Sequence, residues 1–261
     1  MQKLLAAGAD ADTRSAGRPM LCSTLLFNEQ QTAALALVAH GANVNADCGI
    51  GQTPLTLADD ADHPLIDRLV SRGGRLGVPG TDRPDLAAHG VFPGPLTWAV
   101  VHHHDCTAAR LLAHNPQSAQ AECGLVMYAA ASGAKWTLAE LLRRGADPNA
   151  STASGVTALM AAAYHGDMGV LQVLVSQPGI DINRTTPWHF NREFFTPPLE
   201  GQKPPLRSGS RTALMDAALG GSLQATELLR RGAYAYERDA EGLQAVDFAR
   251  NDDVVAVLSA R

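Results

Sequence analysis

Glycines that end helical patterns recur at a nearly fixed interval in this chain, and that interval restricts the fold more than any other feature. Gly8 and Gly41 lie 33 residues apart, Gly41 and Gly73 32, and Gly145 and Gly179 34, with Gly232 extending the series. Such a period is the mark of a repeat in which each unit buries its apolar face only against its neighbours. Before Gly145 stand Leu138, Leu141 and Leu142, spaced to share one helical face, and before Gly232 stand Leu228 and Leu229. Arg72, Arg143, Arg144, Arg230 and Arg231 fill the last turns. Exposed carbonyls and the helix dipole favour cations there, and the following glycine suits the left-handed conformation that stops a helix.

A start signal lies about twenty residues upstream of each stop, in Thr53-Pro54-Leu55-Thr56, Thr157-Ala158-Leu159-Met160 and Thr212-Ala213-Leu214-Met215. Threonine caps the first free amides, and Pro54 fits the first helical position, where its missing N–H would have had no partner. Ala129 to Ala131, Ala161 to Ala163 and Ala217 to Ala218 put small side chains on the first helix of each unit, where neighbouring units approach closely. Gly133, Gly166 and Gly221 mark a turn into the second helix. Each unit reads as a helical hairpin.

These segments resemble the ankyrin family, whose repeat runs approximately G-x-T-P-L-H-x-A-A-x-x-G-H, then a leucine-rich helix, then G-A-D-V-N. Residues 155 to 183 follow that pattern, and Gly41-Ala42-Asn43-Val44-Asn45, Gly145-Ala146-Asp147-Pro148-Asn149 and Ile180-Asp181-Ile182-Asn183 match its ending. The resemblance implies an all-α solenoid of helical hairpins with short β-hairpin-like fingers, forming one array over residues 1–261. The units span 14–46, 47–80, 90–121, 122–150, 151–183, 209–236 and a shortened 237–261, about six to seven in all. The opening Lys3-Leu4-Leu5-Ala6-Ala7-Gly8-Ala9-Asp10 reads as the second half of a repeat, an incomplete first unit, and the expectation is that upstream sequence has been trimmed. Two departures stand out. Thr56, Met160 and Met215 replace the family histidine, so some hairpin stability should be lost, and the unit starting at Pro95 ends at His114-Asn115-Pro116 with no glycine stop.

Composition bounds what such an array can do. With 46% hydrophobic and 18% charged residues, a 261-residue chain has ample material for a core. No apolar run approaches a membrane span and Met1 to Asp12 has no signal-peptide pattern, so the chain reads as soluble, with no membrane partner. A net charge of -5 and a pI near 6.0 argue against nucleic acid as a partner. Cys22, Cys48, Cys106 and Cys123 show neither C-x-x-C nor zinc-site spacing and read as scattered thiols, without a disulfide framework or a metal. Only Lys3, Lys135 and Lys203 among the 21 basic residues are lysines, a codon bias of GC-rich bacterial genomes.

Catalytic constellations are missing. There is no G-x-S-x-G elbow, H-E-x-x-H motif, phosphate-cradling loop or dinucleotide fingerprint. His102-His103-His104-Asp105-Cys106 has metal-ligand chemistry, but it falls at the turn between two helices, where adjacent imidazoles diverge instead of converging on an ion. His165 occupies the equivalent turn of a later unit. Asp10, Asp147 and Asp181 recur as parts of the hairpin endings. The reading is that of a non-enzyme with no cofactor.

The anomaly is the segment from Arg184 to Ser210, which adds about twenty residues at a finger. It holds Trp188, His189, Phe190, Phe194 and Phe195, and five prolines, Pro187, Pro197, Pro198, Pro204 and Pro205, that limit its freedom. Through Arg211 it carries +3, leaving about -8 for the rest. Exposed aromatics either meet a partner or fold back on the repeats; the expected partner-binding residues are Trp188, His189, Phe190, Arg192, Phe194, Phe195 and Arg207. A shorter insertion, Arg75 to Gly94, adds Arg83 and Phe92 as a second side of the same site.

The function expected is a protein–protein interaction module, monomeric when free, that grips one protein through its concave face and the 184–210 finger. In its sharper form it is an inhibitor or immunity protein of a bacterial toxin or effector enzyme. The alternatives are the ankyrin portion of a larger enzyme or effector, or a general adaptor. The compartment expected is the cytoplasm, or the periplasm if an export signal has been removed.

Overall fold

The computed structural model describes residues 2–26, 31–49, 51–58, 63–76, 94–115, 124–151, 155–186 and 211–260. Two compact units divide the chain, Met1–Ser118 and Ala119–Arg261. In the first unit, α1 (Gln2–Ala6) precedes a hairpin of β1 (Arg14–Ser15) and β2 (Arg18–Pro19), which are antiparallel with Arg14 opposite Pro19. There follow α2 (Met20–Leu26), α3 (Gln31–Ala39), α4 (Pro54–Leu57), α5 (His63–Ser71), α6 (Pro95–Val101) and α7 (Asp105–His114). First helices pack on first helices, α2 on α4 on α6, and second helices on second helices, α1 on α3 on α5 on α7. The opening segment thus lies in the second-helix layer, as a half-repeat should.

The second unit repeats the plan with α8 (Leu125–Ser132), α9 (Lys135–Arg143), α10 (Ala158–His165), α11 (Met168–Val175), α12 (Ala213–Gly220) and α13 (Ser222–Arg230), then a 3-10 turn (Ala245–Phe248) and α14 (Asp252–Ser259). One layer runs α8, α10, α12 and the 3-10 turn, the other α9, α11, α13 and α14. Ala129, Ala130, Ala161, Ala162, Ala163 and Ala217 are fully buried, which is what lets successive first helices approach.

The local signals act as their chemistry requires. Thr157 Oγ1 accepts the Met160 amide at 3.3 Å and Thr212 Oγ1 the Met215 amide at 3.4 Å, while Pro54 and Pro95 open their helices. Gly145 and Gly232 sit at φ +88° and +94°, where a β-carbon would clash with the backbone. Gly221 differs from the expected turn glycine: its φ of 165° is extended backbone. Its smallness serves proximity instead, because a β-carbon there would lie 2.9 Å from Gln224 Oε1, whose amide nitrogen reaches the Gly166 carbonyl at 2.6 Å.

The fingers are tied by asparagine. Asn45 Nδ2 donates to the Gly73 carbonyl at 3.0 Å and its Oδ1 accepts the Arg75 amide at 2.8 Å; Asn149 does the same with Gly179 and Asp181, both at 2.8 Å. The aspartates Asp10, Asp147 and Asp181 each accept the amide two residues on, at 2.9, 2.9 and 3.2 Å, closing the turn that presents the next residue. Their role is structural.

Two expectations are corrected. Replacing the family histidine by Thr56 does not strip the hairpin of its bonds, because Thr56 Oγ1 accepts the Thr53 amide and donates to the Thr53 carbonyl, both at 2.8 Å; Met160 and Met215 are core residues. The cysteines are not all thiols either. Cys22 on α2 and Cys48 on the next finger form a disulfide, with Cα atoms 5.2 Å apart, buried beside Ala46 and Leu57. Stacking of consecutive units brings together residues 26 apart in sequence, a proximity that linear spacing does not reveal. Cys106 is free and exposed. No helix among the described residues is long and apolar enough to cross a membrane.

Candidate partner-binding site

Trp188, His189, Phe190, Arg192, Phe194, Phe195 and Arg207, together with Arg83 and Phe92, lie outside the described residues. What the structure does define is the place where the longer insertion leaves and rejoins the repeats. Thr186 and Arg211 form an antiparallel bridge, each amide donating to the other's carbonyl at 2.9 Å. Ser151 and Thr157 form a corresponding bridge one unit earlier, just before α10, as Thr186–Arg211 does just before α12. The bridge therefore encloses 187–210, three residues shorter at its start than the 184–210 read from sequence. Arg184 belongs to the scaffold, its guanidinium donating to the Asn149 carbonyl at 3.1 Å.

The returning strand is anchored in the interior. Arg211 Nη2 stands 3.1 Å from Asp216 Oδ1 on α12, and its guanidinium carbon lies 4.4 Å over the Phe248 ring, a cation–π contact. Burial pushes the Asp216 carboxyl up to about 7, against the opposing pull of Arg211. Thr212 then caps α12. Sequence reasoning counted Arg211 only as part of the finger's charge; an arginine immediately before a helix-capping threonine, with an aspartate four residues on, was the signal available.

At the C-terminal ends of the second helices the charges pair locally. Glu140 accepts from Arg143 and Arg144 at 2.7 Å, and Glu227 from Arg230 and Arg231 at 2.6 to 2.9 Å. These guanidinium bonds hold both carboxyls down at about 2, Arg143 and Arg230 contributing most. Arg231 also donates to the Val175 carbonyl at 3.0 Å, the service to an exposed helix end expected of these arginines, though to the neighbouring unit's helix. In the first unit Asp67 on α5 pairs with Arg110 and, at 3.0 Å, with His114, both on α7; the His114 bond and then the guanidinium hold its carboxyl below its ordinary value.

Residues 96–186 match the family model of ankyrin repeats, in three copies. That stretch is made of ankyrin repeats, and the fold is that of ankyrin repeat domains. Among solved structures, the ankyrin repeat domain of Bcl-3, a unique member of the IkappaB protein family, is similar with a TM-score of 0.65 at 18% identity, over 94% of this chain and 100% of that one. The human ASB11 ankyrin repeat domain is similar with a TM-score of 0.58 at 19% identity, over 100% and 91%. Ankyrin repeats are protein–protein interaction modules and generally carry no catalysis of their own. The match ends at Thr186, where the insertion opens, and includes the unit from Pro95 that has no glycine stop.

In ankyrin terms the histidine cluster is the turn of its hairpin. His102 and His103 are exposed, His103 takes a left-handed φ of 59°, and His102 stacks on Trp98 with ring centroids 4.3 Å apart. Burial against that ring, then the charges of His104 and His103, lower the His102 pKa. Among the described residues no three histidine, cysteine or acidic side chains converge as metal ligands would. A feature missed in the sequence is the finger after α13, where Tyr234 and Tyr236, 63% and 66% exposed, stand in place of the aspartate and asparagine of the family ending. The departure of Gly232-Ala233-Tyr234-Ala235-Tyr236 from that ending was legible.

Proposed function

We propose that this ankyrin-repeat protein is a non-enzymatic module that binds one protein partner, as a single copy, through its concave face and the extended finger. The observation that carries the reading is the Thr186–Arg211 bridge: it rejoins the repeats just before α12 across 24 residues, where the Ser151–Thr157 bridge one unit earlier encloses five. A segment rich in aromatic residues, restricted by proline and opposite in charge to the rest of the chain suits a protein surface better than solvent. Exposed Tyr234 and Tyr236 on the following finger add aromatic surface. The reading takes the chain as one array, which the family match supports by running from the first unit into the second.

The sharper form is an inhibitor or immunity protein whose finger occupies the active site of a bacterial toxin or effector enzyme. The buried Cys22–Cys48 bond favours an oxidising compartment, in a bacterium the periplasm, over the cytoplasm expected from sequence. The test is affinity capture from the native host with the intact chain and with a chain in which 187–210 is replaced by a short turn. One dominant enzyme captured by the intact chain alone supports the inhibitor. A broad set captured equally by both makes it a general adaptor that does not use the finger.

A further inference from the structure

The finger after α13 differs in side chains and in charge from the fingers before it. Where Asn43, Asp147 and Asp181 each accept the amide two residues on, it has Tyr234, and where Asn45, Asn149 and Asn183 clamp the next finger it has Tyr236. A tyrosine carries its hydroxyl at the far end of a ring, away from its own backbone, so neither residue takes over the local bonds of the side chain it replaces. The loop is closed by other bonds. Gln244 Nε2 donates to the Tyr236 carbonyl at 3.1 Å, and the Asp239 amide donates to the Leu243 carbonyl at 2.9 Å. Both tyrosines stand mostly in solvent, as does part of Leu243 at the end of the same loop.

Residues 234–253 carry six acidic side chains and two arginines, so -6 and +2 give -4, against -5 for the whole chain. Elsewhere the carboxylates are engaged. Glu140 and Glu227 each hold two arginines, Asp67 holds Arg110 and His114, and Asp47, Asp147 and Asp181 accept turn amides. Asp247 accepts the Gln244 amide, and Asp252 and Asp253 stand in the first turn of α14, where the helix dipole favours them. Glu237 and Glu241 are exposed, and among the described residues neither side chain has a hydrogen-bond or ion-pair partner. Between them Asp239 is 6% exposed; its Oδ1 accepts the Glu241 and Leu243 amides at 3.0 and 2.9 Å, and its buried Oδ2 has no hydrogen-bond partner. Arg238, the one cation of residues 234–244, donates from Nη1 to the Gly242 carbonyl.

We propose that this finger docks a basic segment of the protein partner, with a lysine or arginine side chain laid on Tyr234 or Tyr236 and its charge met by Glu237 and Glu241. The face of an exposed tyrosine ring attracts a cation, and carboxylates without a counter-ion on the same loop add to that attraction. An acidic segment would meet the same carboxylates as repulsion, so the charge of the finger selects the sign of what it takes. This deepens the reading of the chain as a protein-binding module and rests on it.

The test is NMR on the full chain, titrated with a tetra-arginine peptide and, separately, with a tetra-glutamate peptide. The amides of Tyr234, Tyr236, Glu237 and Glu241 should shift saturably with the arginine peptide and stay in place with the glutamate peptide. Tyr234→Ala with Tyr236→Ala should weaken that binding about fivefold or more, as should Glu237→Gln with Glu241→Gln, at an unchanged melting temperature. Tyr234→Phe with Tyr236→Phe, which keeps both rings, should keep the affinity. No saturable shift at this finger, equal shifts at the fingers of Asp10, Asp147 and Asp181, or an affinity that neither the alanine nor the glutamine pair changes would each overturn the proposal. The probe is a peptide and not the partner, so failure here rejects this finger and leaves the capture experiment to judge the module.

Discussion

Asn183 Nδ2 donates to the Gly232 carbonyl at 3.2 Å, and the same side chain accepts the Tyr234 amide at 2.8 Å. Asn149 makes this pair of bonds to residues 30 and 32 positions ahead, whereas Asn183 makes it across 49 and 51. The finger-to-finger register is therefore kept across the insertion, because the Asn183 side chain reaches the next finger directly. Asn183→Ala and Asn149→Ala should each lower stability by about 1 to 2 kcal/mol, two exposed hydrogen bonds at roughly 0.5 to 1.5 kcal/mol apiece. Urea midpoints measured at unchanged slope test this. A loss at Asn149 alone would show that the contact across the insertion does not form in solution.

The disulfide gives a second expectation. Closing a loop of 26 residues restricts the unfolded chain by about 3.5 kcal/mol on the chain-entropy estimate. Reduction, or the double replacement Cys22→Ala and Cys48→Ala, should lower stability by up to that amount, with the loss centred in the first unit. In the folded, non-reduced chain Cys106 should react with a thiol reagent while Cys22 and Cys48 stay silent until denaturation under reductant. Prompt reaction of Cys22 or Cys48 without reductant would show that the bond does not form.

Two groups of carboxyls should give the stability–pH curve opposite slopes. Glu140 and Glu227 titrate at about 2 when folded, below their ordinary 4.5. Their contribution is present above pH 4.5 and is lost as pH falls from there through 2; it is small because the pairs are largely solvated. Asp216 is raised to about 7, so its folded form binds the extra proton between 3.8 and 7 and its contribution declines as pH rises through that window. Glu140→Gln with Glu227→Gln should flatten the acid branch, and Asp216→Asn the neutral one. Denaturation curves from about pH 2 to about pH 8 distinguish these slopes; a neutral branch unchanged by Asp216→Asn would mean that another group sets it.

The difference between what was legible and what was not follows the range of the interactions. Helix starts at Thr157 and Thr212 and stops at Gly145 and Gly232 depend on neighbours within one turn, so sequence spacing carries them. The half-repeat at Lys3 and the extra length before Thr212 are readable for the same reason, as breaks in a period. The Cys22–Cys48 bond, the Asp67–Arg110–His114 cluster and the Arg211–Phe248 contact each join different elements, and nothing local in the chain announces them. Gly221 looked like its counterparts Gly133 and Gly166 but is small to make room for Gln224, a reason seen only with the neighbouring unit in place.

The histidine turn should prove dispensable, with one qualification from its backbone. His103 holds a left-handed conformation that a β-carbon disfavours by roughly 1 kcal/mol, so His103→Gly should raise stability by about 0.5 kcal/mol. His104→Ala should be nearly silent, and His102→Ala should remove only its stack on Trp98. Metal analysis of the purified native protein offers the contrary outcome: stoichiometric metal that disappears when all three histidines become alanine would establish a site at this turn.

The finger is the place where affinity and stability should separate. Thr186 and Arg211 already hold its two ends as an ordinary finger is held, and each doubling of loop length changes closure entropy by only about 0.6 kcal/mol. Replacing 187–210 by a short turn should therefore leave the melting temperature of the repeats nearly unchanged. Binding should suffer far more, because Trp188 and one of Phe190, Phe194 or Phe195 are the expected anchors. Each alanine substitution among them should weaken the complex by at least about 2 kcal/mol, roughly thirtyfold in affinity. Charge reversal at Arg192 should act through the association rate and fade with salt if that residue lies at the rim. Melting temperature and partner affinity, measured together on the shortened chain, decide the matter. A large fall in melting temperature with undiminished affinity of the folded fraction would show that the aromatics cover the repeats and that the partner binds elsewhere.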